Sequence, residues 1–347
     1  MKILYRQVYK ELVFYLFLGI VVINTLIMVE KLIRVSKVIS GIAGPLDMIR
    51  IILLIQPQML TITIPVAFLT AILLTYGRLN MDNELVAVSA SGVSLTKVSM
   101  PAVRMGIVLM IIALLVTVII APYGNKRLRK EVNHLLKTGI SKKIEEETFT
   151  DLGNIVLYSG RKDGQILKDV FVYIKSKEAV VTAKRAFVRT DSQEVIMELQ
   201  DGLMSIVKGD KKIDIYFGRY KLSGIAIKGL SKKAGELMPH QLLAEAKEVD
   251  KKKALKYIME FYRRFTYPLL SIVIGLIGPR LSLLAGRTGR FGGLTSGVLF
   301  LVSYYILSVY FEGLVEAERL APEIGMVLPV FLGITGGIIV FIRMDKR

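Results

Sequence analysis

Five stretches of the chain contain no charged residue: Leu12 to Val29, Ile51 to Gly77, Met105 to Asn125, Phe291 to Phe311 and Ile324 to Ile342. Each is close to the roughly 20 apolar residues that a helix needs to cross a bilayer. A sixth run, Phe265 to Pro279, is shorter and is bracketed by Arg263/Arg264 and Arg280. Long basic side chains can snorkel to the interfaces from such positions, so this run also counts as a span. Lys2, Arg6 and Lys10 precede the first run, but its apolar stretch is longer than a signal core and no small-residue cleavage site follows. It is expected to be a retained first helix.

Between the third and fourth spans the period changes to two. Asn154 to Tyr158, Val170 to Ile174 and Ile213 to Phe217 are short β-branched or aromatic runs, and Glu194 to Leu199 leads into Asp201-Gly202. This pattern predicts short antiparallel strands in a sandwich, barrel or jelly roll, with a turn at Asp201-Gly202. Helical stretches, roughly residues 126–147 and 239–261, flank the strands and lead to spans three and four.

Composition sharpens this picture. Hydrophobic residues make up 53% of 347, yet 47 Lys and Arg against 29 Asp and Glu leave a formal charge of +18. The mean hydropathy is +0.52. A soluble protein rarely combines these properties. Cysteine is absent, which removes disulfides, thiolate metal sites and cysteine nucleophiles. His134 and His240 are the only histidines and are expected on the surfaces of the flanking helices.

Short loops set the orientation, because excess Lys and Arg marks the cytoplasmic side. Lys2, Arg6 and Lys10 at the start, Arg280, Arg287 and Arg290 between spans four and five, and Arg343, Lys346 and Arg347 at the end all point inward. The loop before the last span carries Glu312, Glu316, Glu318 and Glu323 against Arg319 alone. Both termini are thus expected in the cytoplasm, with the β segment outside.

No G-x-x-x-x-G-K-[ST] phosphate cradle occurs, and the centres of the spans carry almost no ionisable groups of the kind that coupled carriers bury. Neither an enzyme nor a self-powered transporter is supported. The expectation is a non-catalytic permease subunit that binds no cofactor, with ATP used by a separate subunit.

The segment between spans two and three reads Gly77-Arg-Leu-Asn-Met-Asp-Asn-Glu84-Leu-Val-Ala-Val-Ser-Ala-Ser-Gly92-Val-Ser. Met81, Leu85 and Val88 share one helical face, which predicts a short amphipathic helix at the membrane surface. This stretch resembles the LptF/LptG lipopolysaccharide-export permease family (YjgP/YjgQ type), which carries a similar RL…E…ASG-x-S pattern in the same place. The end of span one, Glu30-Lys-Leu-Ile-Arg34, and the opening of span four, Glu260 to Pro268, agree, the latter resembling LptF more than LptG.

The resemblance implies a membrane α-helical fold of six transmembrane helices with an inserted periplasmic antiparallel β jelly roll between helices 3 and 4. Residues 1–125 would hold helices 1–3 with a cytoplasmic coupling helix at about 78–96, residues 126–255 the jelly roll with its flanking helices, and residues 256–347 helices 4–6. The implied setting is the bacterial inner membrane. The implied partners are a second LptG-like or LptF-like permease, an LptB-type ATPase dimer and LptC- and LptA-type jelly rolls, with lipopolysaccharide as cargo and no nucleic acid.

Three sets of residues follow. Glu84 is expected to couple to the ATPase, against the plainer alternative of a solvated surface carboxylate. Gly293 and Gly297 form a G-x-x-x-G pair that serves either a lateral gate or ordinary helix packing. Lys31 and Arg34 match the family's Lys-x-x-Arg. Lys37 extends the spacing to i, i+3 and i+6, giving either a phosphate-binding rim or an interfacial anchor. Two rivals remain: another ABC-linked mechanotransmission or lipoprotein-release subunit, which usually has four spans, and a non-transporting membrane adaptor that docks periplasmic proteins.

Overall fold

The computed structural model describes residues 2–39, 44–143, 146–151, 155–163, 166–175, 179–190, 195–208, 211–225, 234–284 and 290–343. Asn154, Glu194, Arg287, Lys346 and Arg347 lie outside the described residues. The helices are α1 (Lys2–Ile39), α2 (Pro45–Met81), α3 (Glu84–Ala90), α4 (Leu95–Leu115), α5 (Ala121–Lys143), α6 (Pro239–Glu248), α7 (Lys251–Leu284), α8 (Arg290–Glu316) and α9 (Pro322–Ile342). A π-helical turn, Val116–Ile120, joins α4 to α5 without a break. Between α5 and a 3₁₀ turn at Ala234–Glu236 lie β1 (Thr148–Asp151), β2 (Ile155–Asp163), β3 (Ile166–Ile174), β4 (Ala179–Thr190), β5 (Val195–Lys208) and β6 (Lys211–Ile225).

Six helical segments are long and apolar enough to cross a membrane: Lys2–Ile33, Pro45–Met81, Leu95–Val132, Lys251–Leu283, Gly293–Glu316 and Pro322–Ile342. They coincide with the six runs of the sequence. The short fourth run turns out to be the centre of a 34-residue helix, because α7 absorbs the second half of the connecting helix expected at 239–261. That connection breaks at Asp250, whose carbonyl accepts from the backbone N–H groups of Lys253 (2.8 Å) and Ala254 (2.9 Å) to start α7.

The chain divides into two compact units, one of Met1–Glu30, Leu54–Lys126 and Ala234–Arg347, the other of Lys31–Leu53 and Arg127–Lys233. In the first, Val8 and Leu12 of α1 pack with Phe68, Ile72, Tyr76 and Leu79 of α2 and Ala102 of α4, all at most 1% exposed. Lipid is as apolar as these side chains, so helices associate in a bilayer by close packing and hydrogen bonds rather than by hiding from water. Glycine supplies the closeness where α4 crosses α7. A Cβ on Gly106 would lie 2.6 Å from the Ser271 carbonyl oxygen, and one on Gly275 would lie 2.9 Å from that of Ala102.

Prolines inside these helices leave carbonyls without their i+4 donor, and hydroxyls from neighbouring helices fill two of the vacancies. Pro268 cannot donate to the Arg264 carbonyl, and Thr117 Oγ1 of the π turn does so at 2.9 Å. Pro101 likewise cannot serve Lys97, whose carbonyl accepts from Tyr5 Oη of α1 at 2.9 Å.

In the second unit the six strands form one antiparallel sheet in the order β1-β2-β3-β4-β5-β6. The inserted antiparallel sheet matches the expectation. Its strands follow one another as a meander, so the β domain is built from successive hairpin neighbours. One face carries a row that runs through Leu157, Val172, Val181, Met204 and Ile215 in cross-strand register. The first three are 0% exposed. The other face carries the row Phe149, Tyr158, Phe171, Thr182, Leu203 and Tyr216, with Phe149 stacked on Tyr158 at 4.9 Å.

Asp201-Gly202 is not a turn, and this corrects the sequence expectation. It lies inside β5, where Asp201 adopts φ 52 and Gly202 pairs with Ala183 and Phe217. Asp169 of β3 has the same left-handed backbone, φ 52. Pairing skips Asp169 with Lys184, then Lys184 with Asp201, so the irregularity crosses adjoining strands as a line. A left-handed residue interrupts the two-residue alternation. Leu167 and Val170 of β3, three apart, are therefore both buried, as are Ala183 and Ala186 of β4. The dipeptide signals local left-handedness, which here resets the pleat instead of reversing the chain. Gly202 is needed for its size, since a Cβ there would collide with the Thr182 carbonyl and the Phe217 ring.

Candidate functional site

The turn between the second and third spans is built from opposed helix signals. After α2 ends at Met81, Asn83 takes a left-handed φ of 54 and α3 begins at once with Glu84. Gly92, at φ 81, releases the chain, and the Ser94 side chain accepts from Lys97 N–H to cap α4. The segment 78–96 is thus the end of α2, a seven-residue helix and the start of α4. Leu85 is buried and Val88 packs partly buried against the helical core, while Met81 belongs to α2 and is 38% exposed. The amphipathic face of α3 is real but excludes Met81, because the Asn83 turn intervenes.

Arg78, one turn before the end of α2, gathers the charges around this turn. Its guanidinium holds Glu11 of α1 as a fork, Nη2 to Oε1 at 2.6 Å and Nε to Oε2 at 3.0 Å. Nη1 donates to Glu84 Oε1 at 2.8 Å and to Asp82 Oδ2 at 2.9 Å. Paired, planar contacts of this kind are the stronger class of charge-assisted hydrogen bond. Glu84 is therefore neither a free surface carboxylate nor a buried one: its side chain keeps 34% of its surface exposed while bonded to Arg78. Two tyrosines tie the same region to the start of α4. Tyr76 Oη donates to Val98 O at 3.0 Å, and Tyr5 reaches Lys97 O. The sequence pattern contained Arg78 but gave no sign of its partner Glu11, which is 67 residues away.

In the first half of α7, Arg264 is 5% exposed and donates to Leu237 O at 2.5 Å and Ala234 O at 3.0 Å. It thereby holds the 3₁₀ turn where the chain returns from the sheet. Arg263 pairs with Glu312 of α8 at 2.8 Å. Of the basic set Lys31, Arg34 and Lys37, Lys31 lies on α1 and is partly buried. Arg34 and Lys37 lie on the same continuous helix, so the three share its i, i+3, i+6 spacing; the side chains of Arg34 and Lys37 lie outside the described residues. Gly293 and Gly297 are both buried on α8, and a Cβ on Gly297 would collide with the Leu73 side chain of α2. The pair therefore includes a packing contact within the subunit. Among the described residues no group of three His, Asp or Glu side chains is placed to hold a metal ion.

The sequence model described as "Lipopolysaccharide export system permease LptF/LptG" matches residues 6–343. It spans both names, so it does not separate LptF from LptG. A relative in Rickettsia prowazekii (strain Madrid E), titled "Uncharacterized protein RP871", is 22% identical over 286 residues, covering 78% of this chain and 79% of that protein. With six membrane-crossing helices, an inserted antiparallel sheet and a match over nearly its whole length, the chain belongs to the lipopolysaccharide export system permease LptF/LptG family.

Proposed function

We propose that this chain is the transmembrane subunit of an ABC-type exporter that draws lipopolysaccharide from the inner membrane and passes it to a periplasmic bridge. The observation that supports it most directly is α3, a seven-residue helix held between two spans with Glu84 partly exposed at its start. Such a helix suits docking into a separate LptB-type ATPase, which would hydrolyse the ATP. The second permease subunit would complete the cavity, both termini would be cytoplasmic and the sheet periplasmic. Lys31, Arg34 and Lys37 would hold the phosphates of the substrate at the cavity mouth, and Gly293 and Gly297 would let α8 move against its neighbours at the lateral gate.

The sheet fits the next step. β6 is paired on one side only among the described strands, and Ile213, Ile215 and Tyr216 along it are 49%, 45% and 82% exposed. An open edge of this kind accepts a strand from another β domain, here an LptC-type jelly roll followed by LptA-type units. Six spans weigh against the usual four-span lipoprotein-release subunit.

Co-expression with the partner permease and ATPase tests the reading. A complex that carries lipopolysaccharide and releases it on ATP addition supports it. An assembled complex without bound lipid would return the chain to the adaptor class.

A further inference from the structure

The cytoplasmic ion cluster joins three helices through one side chain. Arg78 sits on α2, Glu11 on α1 and Glu84 on α3, and the distances are 2.6, 3.0 and 2.8 Å. The allocation is unequal. Glu11 takes two guanidinium nitrogens in a fork, whereas Glu84 shares Nη1 with Asp82. The Glu11 contact is also the better shielded, with the two side chains 24% and 22% exposed, against 34% for Glu84 and 51% for Asp82. Solvent screening therefore weakens the Asp82 and Glu84 contacts more than the Glu11 fork. Three carboxylates against one guanidinium also leave negative charge on the exposed side, where a cationic partner surface is complementary.

The α1 end of the link is firmly seated. Val8 and Leu12, flanking Glu11, are 0% exposed, and Tyr5 is fixed to the Lys97 carbonyl that Pro101 leaves open. By contrast α3 is attached by buried Leu85, partly buried Val88 and the Arg78 contact. A force on α3 is thus passed to α1 through Arg78 as well as to the helical core through Leu85.

We propose that Arg78 is a positioning residue that yokes α3 to α1, so that displacement of α3 by the ATPase is delivered to the first span through the Glu11 fork. This rests on the exporter reading. Under it, the exposed surfaces of Glu84 and Asp82 face the basic surface of the ATPase, while Glu84 keeps its bond to Arg78 and Arg78 keeps its hold on Glu11.

The test uses the full complex in nanodiscs. Because the chain has no cysteine, thiols introduced at Ile3 of α1 and Val86 of α3, 84% and 60% exposed, can be spin-labelled without background. In wild type the interlabel distance should stay constant between the nucleotide-free and ATP-bound states, because the two helices move as one. In Arg78→Gln and Glu11→Gln it should lengthen or broaden on ATP binding, and lipid released per ATP hydrolysed should fall about tenfold while the ATPase rate persists. Arg78→Lys, which keeps a cation between Glu11 and Glu84 without the fork, should retain part of both readouts, which separates a yoke from a merely folded-state role. An unchanged distance and unchanged release per ATP in both single variants would overturn the proposal. If the wild-type complex releases no lipid, the exporter reading fails, and the distance measurement still decides whether Arg78 joins α3 to α1.

Discussion

Gly106 of α4 and Ser271 of α7 meet backbone to backbone: a single added Cβ on the glycine would stand 2.6 Å from the serine carbonyl oxygen. Real Cβ atoms do not approach so closely, and the obstacle is main chain, which cannot swing aside. Gly106→Ala should therefore push the helices apart and cost about 1–3 kcal/mol, the usual range for overpacking. Gly313→Ala, with open space around it, is the control and should be near neutral. Thermal unfolding of the two variants in detergent compares them directly.

Thr117→Val keeps shape and removes the donor to the Arg264 carbonyl. The expected loss is about 0.6–1.7 kcal/mol, typical of hydrogen bonds between membrane helices. In a Pro268→Ala background residue 268 regains its N–H and can serve that carbonyl, so Thr117→Val should cost less there. A double-mutant cycle reads the difference, and equal costs in both backgrounds would show that the hydroxyl does not substitute for the missing helical donor.

The two faces of the sheet should respond differently to charge. Val172, 0% exposed, cannot accept Asp without burying an unpaired carboxylate, whereas neighbouring Phe171 lies on the partly open face. Val172→Asp should abolish folding of the β unit, assayed by protease resistance, while Phe171→Asp should be tolerated. Photo-crosslinkers at Phe171 and Tyr173 ask the functional question: the exporter reading expects lipid adducts on this partly open face, and adducts on neither face of the sheet would refute it.

Arg34→Glu should lower the lipid co-purified per complex, and Arg34→Lys should lower it less, since lysine keeps the charge without the bidentate fork. Equal lipid in wild type and both variants would make the Lys31, Arg34, Lys37 set an interfacial anchor.

Glu84→Ala should cost little stability, about 0.2–1 kcal/mol, because its ion pair with Arg78 is partly exposed. Export should nevertheless fall. Asp82→Ala removes an Arg78 contact from outside α3 and should lower export less than Glu84→Ala, measured as lipid released from the same complex.

How much the sequence revealed depended on the range of the interactions. Uncharged runs such as Met105 to Asn125 announce membrane helices because a bilayer demands length and apolarity from a single segment. Alternation did the same for β2 and β3. The fork between Arg78 and Glu11 left no comparable trace, because each is an ordinary charge beside a membrane span until the fold joins them. Asp201-Gly202 misled for a related reason: a left-handed residue reads alike in a hairpin and in a pleat shift, and only the neighbouring strands decide. Met81 fell on the wrong side of the Asn83 turn, since helical phase computed through an unrecognised break means nothing beyond it.

The π turn at Val116–Ile120 has a geometric consequence of its own. A π turn holds one residue more than the α-helix around it, and each α-helical residue advances the chain by about 100° of azimuth. The extra residue thus dials the remainder of that helix to a particular bearing. On that bearing Gly124 faces the Leu54 carbonyl, where a Cβ would come within 3.1 Å, and Asn125 Nδ2 reaches Gly235 O at 3.0 Å. Excising one residue from the turn would straighten the helix into a regular spiral and swing both residues about a quarter revolution off their partners. The irregularity works as a phase-setting insertion, and its length, more than the identity of its aliphatic residues, is what the surrounding helices constrain.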